Sequence, residues 1–520
     1  MRTGQERVEV PIPVVIMCNS YTLFMKPKSF SFVIFGASGD LTKRKLIPAL
    51  FDLFIEKRLP EKFEIIGIGR TGYDGPEYRK YLYSQLSGYI KPEKWDDDLI
   101  HSFISHIDYL TMDPAKEDGY PVLGKRLEES SSESIIYYLA TPPLLYGVVP
   151  KYLKTYGLNG ERTRIIVEKP FGYDLESARQ LNDIYRDTFE ESQVYRIDHF
   201  LGKETAQNIL AFRFANSIFE PVWNRNYIDY VEITSVENLG IENRGGYYET
   251  AGTMRDMVQN HLVQLLALCA MEPPVKFDAD SFRNEVVKVY DSLVPLTEDY
   301  IKDNVIRGQY MAAGNYLGYR QEKHVAPNSR TETFFAMKVE IDNWRWSGVP
   351  FFFRVGKQMP TKVTEIVVHF KNAPHLLFGH VPGVRQHANR LVLRIQPNEG
   401  IVLRFDMKLP GTGFHTKQVD MDFVYDELGD VKMGDAYARL IEDCLMGDPT
   451  LFTRADAVES SWRYFGKILE YWQKYPKTPL YGYPVGTWGP LESNSLIESV
   501  RGSWTNPCKN LIHTDEYCEL

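Results

Sequence analysis

Residues 31–54 read SFVIFGASGDLTKRKLIPALFDLF. SFVIF is a short apolar run that ends in a glycine-containing turn, and Leu46, Leu50, Leu53 and Phe54 then recur at helical spacing. The stretch predicts a buried strand, a tight turn and a helix. FEIIGIGRT (63–71) reads as a second buried strand, and SIIYYLAT (134–141), RIIVEKPFG (164–172) and VYRID (194–198) add three more, with helical segments between them. Strands alternating with helices imply a doubly wound parallel sheet. After residue 200 the pattern changes. IDYVEITSVENLGI, ETFFAMKVEIDNWRW, VPFFFRVGK, EIVVHFK, NRLVLRIQPNEGIVLRFDMK and KQVDMDFVY are strand-like, closely spaced and turn-bounded. Long helices are predicted at 203–215, 253–271, 434–447 and 456–473. The expected fold class is α/β plus α+β, a doubly wound parallel sheet followed by a larger C-terminal domain on a mainly antiparallel sheet.

The chain of 520 residues is too long for one compact core. We divide it into an N-terminal extension (1–27), a first domain (28–200), a second domain (201–495) and an Asn/Ser-rich tail (496–520) expected to be loosely held. Met25, just ahead of the first strand, is a candidate alternative start. The net charge is −9, and no long Lys/Arg run is present, so nothing suggests a nucleic-acid partner. An acidic chain that binds an anion must concentrate its positive charge locally. The five cysteines, Cys18, Cys269, Cys444, Cys508 and Cys518, are scattered and lack CxxC spacing, which fits a reducing cytoplasm rather than a disulfide or zinc framework. No apolar stretch reaches the roughly 18 residues a membrane span needs.

Four segments carry the polar groups that could do chemistry. In the first, GASGDL (Gly36, Ala37, Ser38, Gly39, Asp40, Leu41) follows a strand and opens a helix, where backbone N–H groups can meet a pyrophosphate. Its spacing departs from GxGxxG, and such turns also occur without ligands. The second strand ends in Arg70 with no acid, which suits a ribose 2′-phosphate better than a 2′-hydroxyl. Lys43, Arg44 and Lys45 in the first helical turn oppose the helix dipole unless an anion is present. In the second, EKPFG, Lys169 stands at a carboxyl-end strand terminus, where open α/β sheets bind ligands. In the third, YRIDHFLGK, Asp198 ends a strand, and His199 and Lys203 fall one helical turn apart, so they are expected to share a face. HxxxK is not a metal-ligand spacing, and an anion reading suits it better. In the fourth, RDMVQNHL, His261 shares a helical stripe with Leu265 and Leu268, as a satisfied core histidine would. Glu237, Asp256, Lys357 and Lys362 are further polar residues beside apolar runs. Taken singly, each segment is open between a site and ordinary helix, turn or surface.

Together they resemble the glucose-6-phosphate dehydrogenase family. The order GASGDLTKRKL, GIGR, LATPP, EKPFG, YRIDHFLGKE, RGGYYE with RDMVQNHLVQLLAL, RVGK, IQPNEG and YGYPVGTWGP is that family's order, over roughly residues 30–490. The resemblance implies oxidation of β-D-glucose 6-phosphate at C1 to 6-phospho-D-glucono-1,5-lactone with reduction of NADP⁺, the first step of the oxidative pentose phosphate pathway. It implies a Rossmann-like domain beside a β+α domain that forms a homodimer or homotetramer. Position by position, His261 matches the general base and Asp198 its dyad partner. His199, Lys203, Lys357 and Lys362 match phosphate and sugar contacts. Lys169, Glu237, Asp256 and Gln396 match positions that hold sugar hydroxyls. Gly36 to Leu41, Arg70 and Lys169 match coenzyme contacts, and no metal is implied. Lys362 departs from relatives that carry arginine there, and a lysine is a point charge rather than a bidentate fork. Two other readings compete: another EKP-type NAD(P)-dependent sugar dehydrogenase, and a non-catalytic NADP-binding regulator.

Overall fold

A computed structural model describes residues 27–375, 387–412, 414–428 and 434–508. The expected extension therefore lies outside the described residues apart from Pro27, as does the tail beyond residue 508. Six parallel strands form the first sheet: β1 Phe30–Phe35, β2 Phe63–Gly69, β3 Ile107–Thr111, β4 Ser134–Leu139, β5 Thr163–Val167 and β6 Val194–Arg196. Their order is β3-β2-β1-β4-β5-β6, a doubly wound sheet whose strand order reverses between β1 and β4. β1 and β4 are buried along their whole length, as their unbroken apolar runs require between two layers of helices. β3, a short edge strand with alternating exposure, has too weak a pattern to have been read from the sequence.

Nine strands form the second sheet: β7 Ile228–Val236, β8 Val305–Met311, β9 Phe334–Glu340, β10 Pro350–Gly356, β11 Val363–Phe370, β12 Arg390–Gln396, β13 Gly400–Lys408, β14 Thr416–Val424 and β15 Tyr481–Pro484. The order is β14-β13-β12-β11-β7-β10-β9-β8-β15. Most pairs are antiparallel, as expected, but β7 with β10 and β8 with β15 are parallel. β8 (VIRGQYM) and β15 (YGYP) were not foreseen: a charge and a glycine interrupt one, and a proline ends the other.

The helix Ala455–Lys474 runs between the sheets. Glu459 on it accepts from Asn182 at 2.8 Å, and Trp462 donates to the Phe171 carbonyl at 3.1 Å, both on the side of the first sheet. Phe465 stacks on Phe353 of β10. The stretch after residue 495 is not loosely held as far as residue 508. Trp504 is buried, Thr505 donates to Glu232, and Arg354 donates to Asn506.

Candidate active site

Three of the predicted segments end on the carboxyl edge of the parallel sheet: the turn after β1, Lys169 after β5 and Asp198 after β6. In the turn, Gly36 has φ +94°, and a Cβ there would lie 2.3 Å from the Ala140 carbonyl oxygen just past β4. Only glycine lets β1 turn this close to β4 at the reversal point. Ser38, Gly39 and Leu41 are partly exposed and Ala37 is buried against the core. Asp40 lies 3.7 Å from Lys43 and 3.2 Å from Arg44, and Lys45 lies 3.8 Å from Asp435. The conflict expected from three cations in the first helical turn is thus already eased by acidic neighbours. Arg70 is exposed and makes no hydrogen bond or ion pair with any described residue. This turn, helix start and arginine fit a coenzyme with a pyrophosphate and a 2′-phosphate.

His261 does not sit on an α-helix. Met254–Leu262 is π-helical, following a break at Gly252 (φ 61°) where the buried Glu332 carboxylate accepts from the Met254 N–H at 3.0 Å. Hydrogen bonds between residues five apart place residues five apart on one face. Asp256 and His261, which an α-helix would turn away from each other, therefore both meet Lys169. The Lys169 ammonium donates to the Asp256 carbonyl at 2.8 Å, approaches its Oδ1 at 3.3 Å, and lies 2.9 Å from His261 Nε2. On the other side of the ring, Nδ1 lies 2.6 Å from Asp198 Oδ1. An ammonium cannot accept, so Nε2 is the acceptor and Nδ1 carries the proton donated to Asp198.

His199 and Lys203 do not lie on one helical turn. Residues 199–203 make successive tight turns, closed by Leu201 N–H to Asp198 O at 3.0 Å and Lys203 N–H to Phe200 O at 3.2 Å, ahead of the helix Glu204–Phe214. The turns fold both side chains to the dyad by another route. The His199 and His261 rings meet edge to face at 4.6 Å, Phe200 stacks on His261 at 4.2 Å, and the Lys203 ammonium lies 4.3 Å from the Phe200 ring. Lys203 also donates to Gln396, whose amide donates to Thr364 at 3.0 Å. Lys357, just past β10, pairs with Glu237, just past β7, and Lys362 lines the same pocket. The predicted site residues thus converge, apart from the coenzyme turn and Arg70, which sit along the same sheet edge.

Burial pushes the Asp198 carboxyl up, but the charge and hydrogen bond of His261 outweigh it and hold the acid at about 2. Burial, with the Lys169 charge, pulls His261 below the ordinary histidine value against the opposing carboxylate. Burial and the Lys362 charge lower Lys203 to about 8. At neutral pH the dyad is a carboxylate and a neutral imidazole, which is the state a general base needs. Asp198, His199 and His261 lie close enough to suggest a cation site. The donor set does not suit one, because Oδ1 and Nδ1 already bond each other and an ammonium faces Nε2.

The sequence reading passed over Glu168, beside Lys169. Its part-buried carboxyl is raised by desolvation and accepts from Tyr138 at 2.6 Å. It also missed Tyr437, whose ring lies parallel to that of His199 at 6.3 Å, and Tyr247, which donates to Asp256 at 3.2 Å. EKP itself could have pointed to Glu168. Tyr437 is brought in from over 200 residues away by the fold alone.

The family models for the glucose-6-phosphate dehydrogenase NAD-binding domain and C-terminal domain match residues 33–208 and 210–505. A glucose-6-phosphate 1-dehydrogenase of Aggregatibacter actinomycetemcomitans is 48% identical, over 93% of this chain and 98% of its own. The enzyme of the same name from Treponema pallidum is 46% identical, over 94% and 97%. A solved glucose-6-phosphate dehydrogenase in complex with glucose 6-phosphate superposes with a TM-score of 0.85 at 34% identity, over 93% of this chain and 100% of that one. The glucose-6-phosphate 1-dehydrogenase of Mycobacterium avium gives 0.82 at 34% identity, with the same coverage. With both halves matched in order and the catalytic-looking cluster assembled where they meet, the chain belongs to the glucose-6-phosphate dehydrogenase family.

Proposed function

We propose that the chain oxidises β-D-glucose 6-phosphate at C1 to 6-phospho-D-glucono-1,5-lactone. The turn after β1 and Arg70 would hold NADP⁺, which would supply the hydride acceptor for C1. The protein has to take the C1 hydroxyl proton and hold the sugar. His261 Nε2 takes that proton as the carbonyl forms, and Asp198 orients the ring and stabilises the imidazolium. Lys169, which touches both Nε2 and Asp256, sits where it can hold the C1 hydroxyl against the base. Lys203 and Lys362 form the cationic arc for the phosphate in an otherwise acidic chain, and His199, which burial holds well below the ordinary histidine value, joins them as a neutral hydrogen-bonding ring. Glu237, Asp256, Lys357 and Gln396 face the sugar hydroxyls. Gly36 to Leu41 and Arg70 hold the coenzyme, so residues 28–200 carry the coenzyme and lend Lys169, Asp198 and His199 to the substrate site, whose other groups come from 201–495.

The observation that carries this reading is the buried imidazole held at 2.6 Å by a carboxylate and at 2.9 Å by an ammonium. Its test is the rise in absorbance at 340 nm with NADP⁺ and NAD⁺, for wild type and His261→Asn. We expect NADP⁺ to be preferred and kcat to fall about 10²–10⁴-fold in the variant, the usual worth of a general base. Undiminished activity, or equal kcat/KM for glucose and glucose 6-phosphate, would refute it.

We also propose self-association through β13, β14 and their connection, at the edge of the large sheet, where Met407, Leu409, Phe414, Met421 and Phe423 are exposed. The setting is a reducing cytoplasm, which suits the buried thiols of Cys269 and Cys444. Among the described residues no helix is long and apolar enough to cross a membrane.

A further inference from the structure

A small cavity of about 30 Å³ and mixed lining lies against the dyad, with Arg196, Asp198, Gln259, Gln264, Thr453 and Ser461 on its polar side. Three of these residues carry a buried polar atom with no hydrogen-bond partner: Arg196 Nε, Asp198 Oδ2 and Gln259 Oε1. A buried polar atom left unpaired costs about 1–3 kcal/mol, so three around one cavity call for a common partner. Arg196 and Asp198 are two residues apart on extended chain and so project to one side. The other nitrogens of Arg196 are engaged, Nη1 with Glu191 at 2.6 Å and Nη2 with Asn182 at 3.2 Å. The amide of Gln259 has a fixed direction. The Ser461 hydroxyl donates its one proton to the Val458 carbonyl at 2.9 Å, so it must accept from Gln259 Nε2 at 3.0 Å, which leaves Oε1 as the free acceptor.

We propose that this cavity binds one water molecule, which accepts from Arg196 Nε and donates to Asp198 Oδ2 and Gln259 Oε1. Gln259 is thereby a positioning residue for the His261–Asp198 pair. One acceptance and two donations match the three orphan atoms in number and in sign. The volume suits one or two waters, and the N–H donor of Arg196 rules out a cation in the same place. Asp198 Oδ1 is already held by His261 and by the Phe200 N–H at 3.0 Å. The water holds the second oxygen, fixes the carboxylate plane, and links it to the Arg196 charge. A hydrogen bond to Oδ2 disperses the carboxylate charge, so it moderates how strongly Asp198 stabilises the imidazolium. The inference rests on the dyad reading for its catalytic meaning, but the water site itself does not.

Two measurements test it. A crystal structure of the NADP⁺-bound enzyme showing ordered solvent should contain one peak within about 2.7–3.2 Å of all three atoms; its absence overturns the proposal. Gln259→Met, close in volume, should lose the peak, and Gln259→Glu, which keeps an acceptor oxygen, should retain it. In Gln259→Met we expect kcat to fall about tenfold, a part of the roughly 10²–10⁴-fold that general-base catalysis contributes. The acid limb of kcat/KM should move to higher pH, because an unsolvated Asp198 favours the imidazolium more, while both KM values hold. A lowered Tm with an unmoved limb would show a merely structural role and overturn the proposal. If the Met variant does not fold, the wild-type and Glu structures still decide. If His261→Asn stays active, the dyad reading fails and the peak is untouched. If that variant is inactive and the peak is missing, only the present inference fails.

Discussion

On the proposed phosphate grip, the charge on Lys203 sets how substrate capture depends on pH. Burial and the neighbouring Lys362 bring its ammonium down to about 8. The charge is present below that value and lost as pH rises through it. Because kcat/KM reports the free enzyme, it should fall above pH about 8 for glucose 6-phosphate. Capture of the phosphate should also raise the ammonium's pKa in the complex, so kcat should stay level over the same range. Initial rates between pH 6 and 9 separate the two, and a kcat/KM that stays flat through pH 9 would remove Lys203 from the phosphate grip. At the acid end, His261 must be neutral to act. Its lowered pKa places the loss of activity below the ordinary histidine value of 6.5. The sequence pointed to Lys203 through a helical spacing that does not hold, and to His261 only through the family resemblance, since its helical stripe suggested a core residue. Lys203 was placed on a helix with His199, whereas a run of turns brings the two together. Chemistry-bearing residue types were visible in one dimension, while the turns that aim them were not.

Strand and helix existence was legible wherever the hydrophobic pattern was long and unbroken, as in β1, β4 and β10. It failed for β3, β8 and β15, where edge position, an internal glycine or a terminal proline weakens the pattern. The π-helix Met254–Leu262 was illegible for a different reason. Nothing in MRDMVQNHL departs from α-helical composition, and the wider turn depends on tertiary contacts such as Glu332 on the Met254 N–H. Yet this element decides the site, because it alone lets Lys169 reach both Asp256 and His261. The turn after β1 was read correctly, and its requirement for glycine is now specific. In Gly36→Ala the new methyl would stand 2.3 Å from the Ala140 oxygen at φ +94°. A left-handed conformation costs a non-glycine residue about 1–2 kcal/mol before any clash, and each 1.4 kcal/mol is about tenfold in affinity. We therefore expect NADP⁺ to bind at least about tenfold more weakly by fluorescence titration, with glucose 6-phosphate binding little changed. Unaltered NADP⁺ affinity would exclude the turn from the coenzyme site.

Residues 502–508 brace the strands that carry the proposed substrate groups. β7 and β10 lie parallel and adjacent at the centre of the large sheet, and Glu237 and Lys357 emerge from their carboxyl ends. Lower on the same strands, Glu232 and Arg354 are fully buried. Glu232 accepts from the Thr505 N–H at 2.9 Å and the Thr505 hydroxyl at 2.7 Å. Arg354 donates to the Thr505 carbonyl and to Asn506 at 2.7 Å each, with its guanidinium 4.7 Å from both the Trp488 and the Trp504 rings. A polar, serine-rich composition suggested a loose tail, because composition cannot show that two buried charges elsewhere require those backbone groups. Removing residues 502–520 would strip neutral hydrogen-bond partners from both charges, leaving Glu232 with His369 at 2.7 Å, and a hydrogen bond to a charged group contributes about 1.5–3 kcal/mol. The truncated protein should therefore melt several degrees lower. Since the two strands also hold the Glu237–Lys357 pair, KM for glucose 6-phosphate should rise more than KM for NADP⁺, which binds at the other sheet. Thermal unfolding and steady-state kinetics on the same preparation check both halves. An unchanged Tm would show that the tail carries no load, and a lowered Tm with equal effects on the two KM values would show that its support does not pass through β7 and β10.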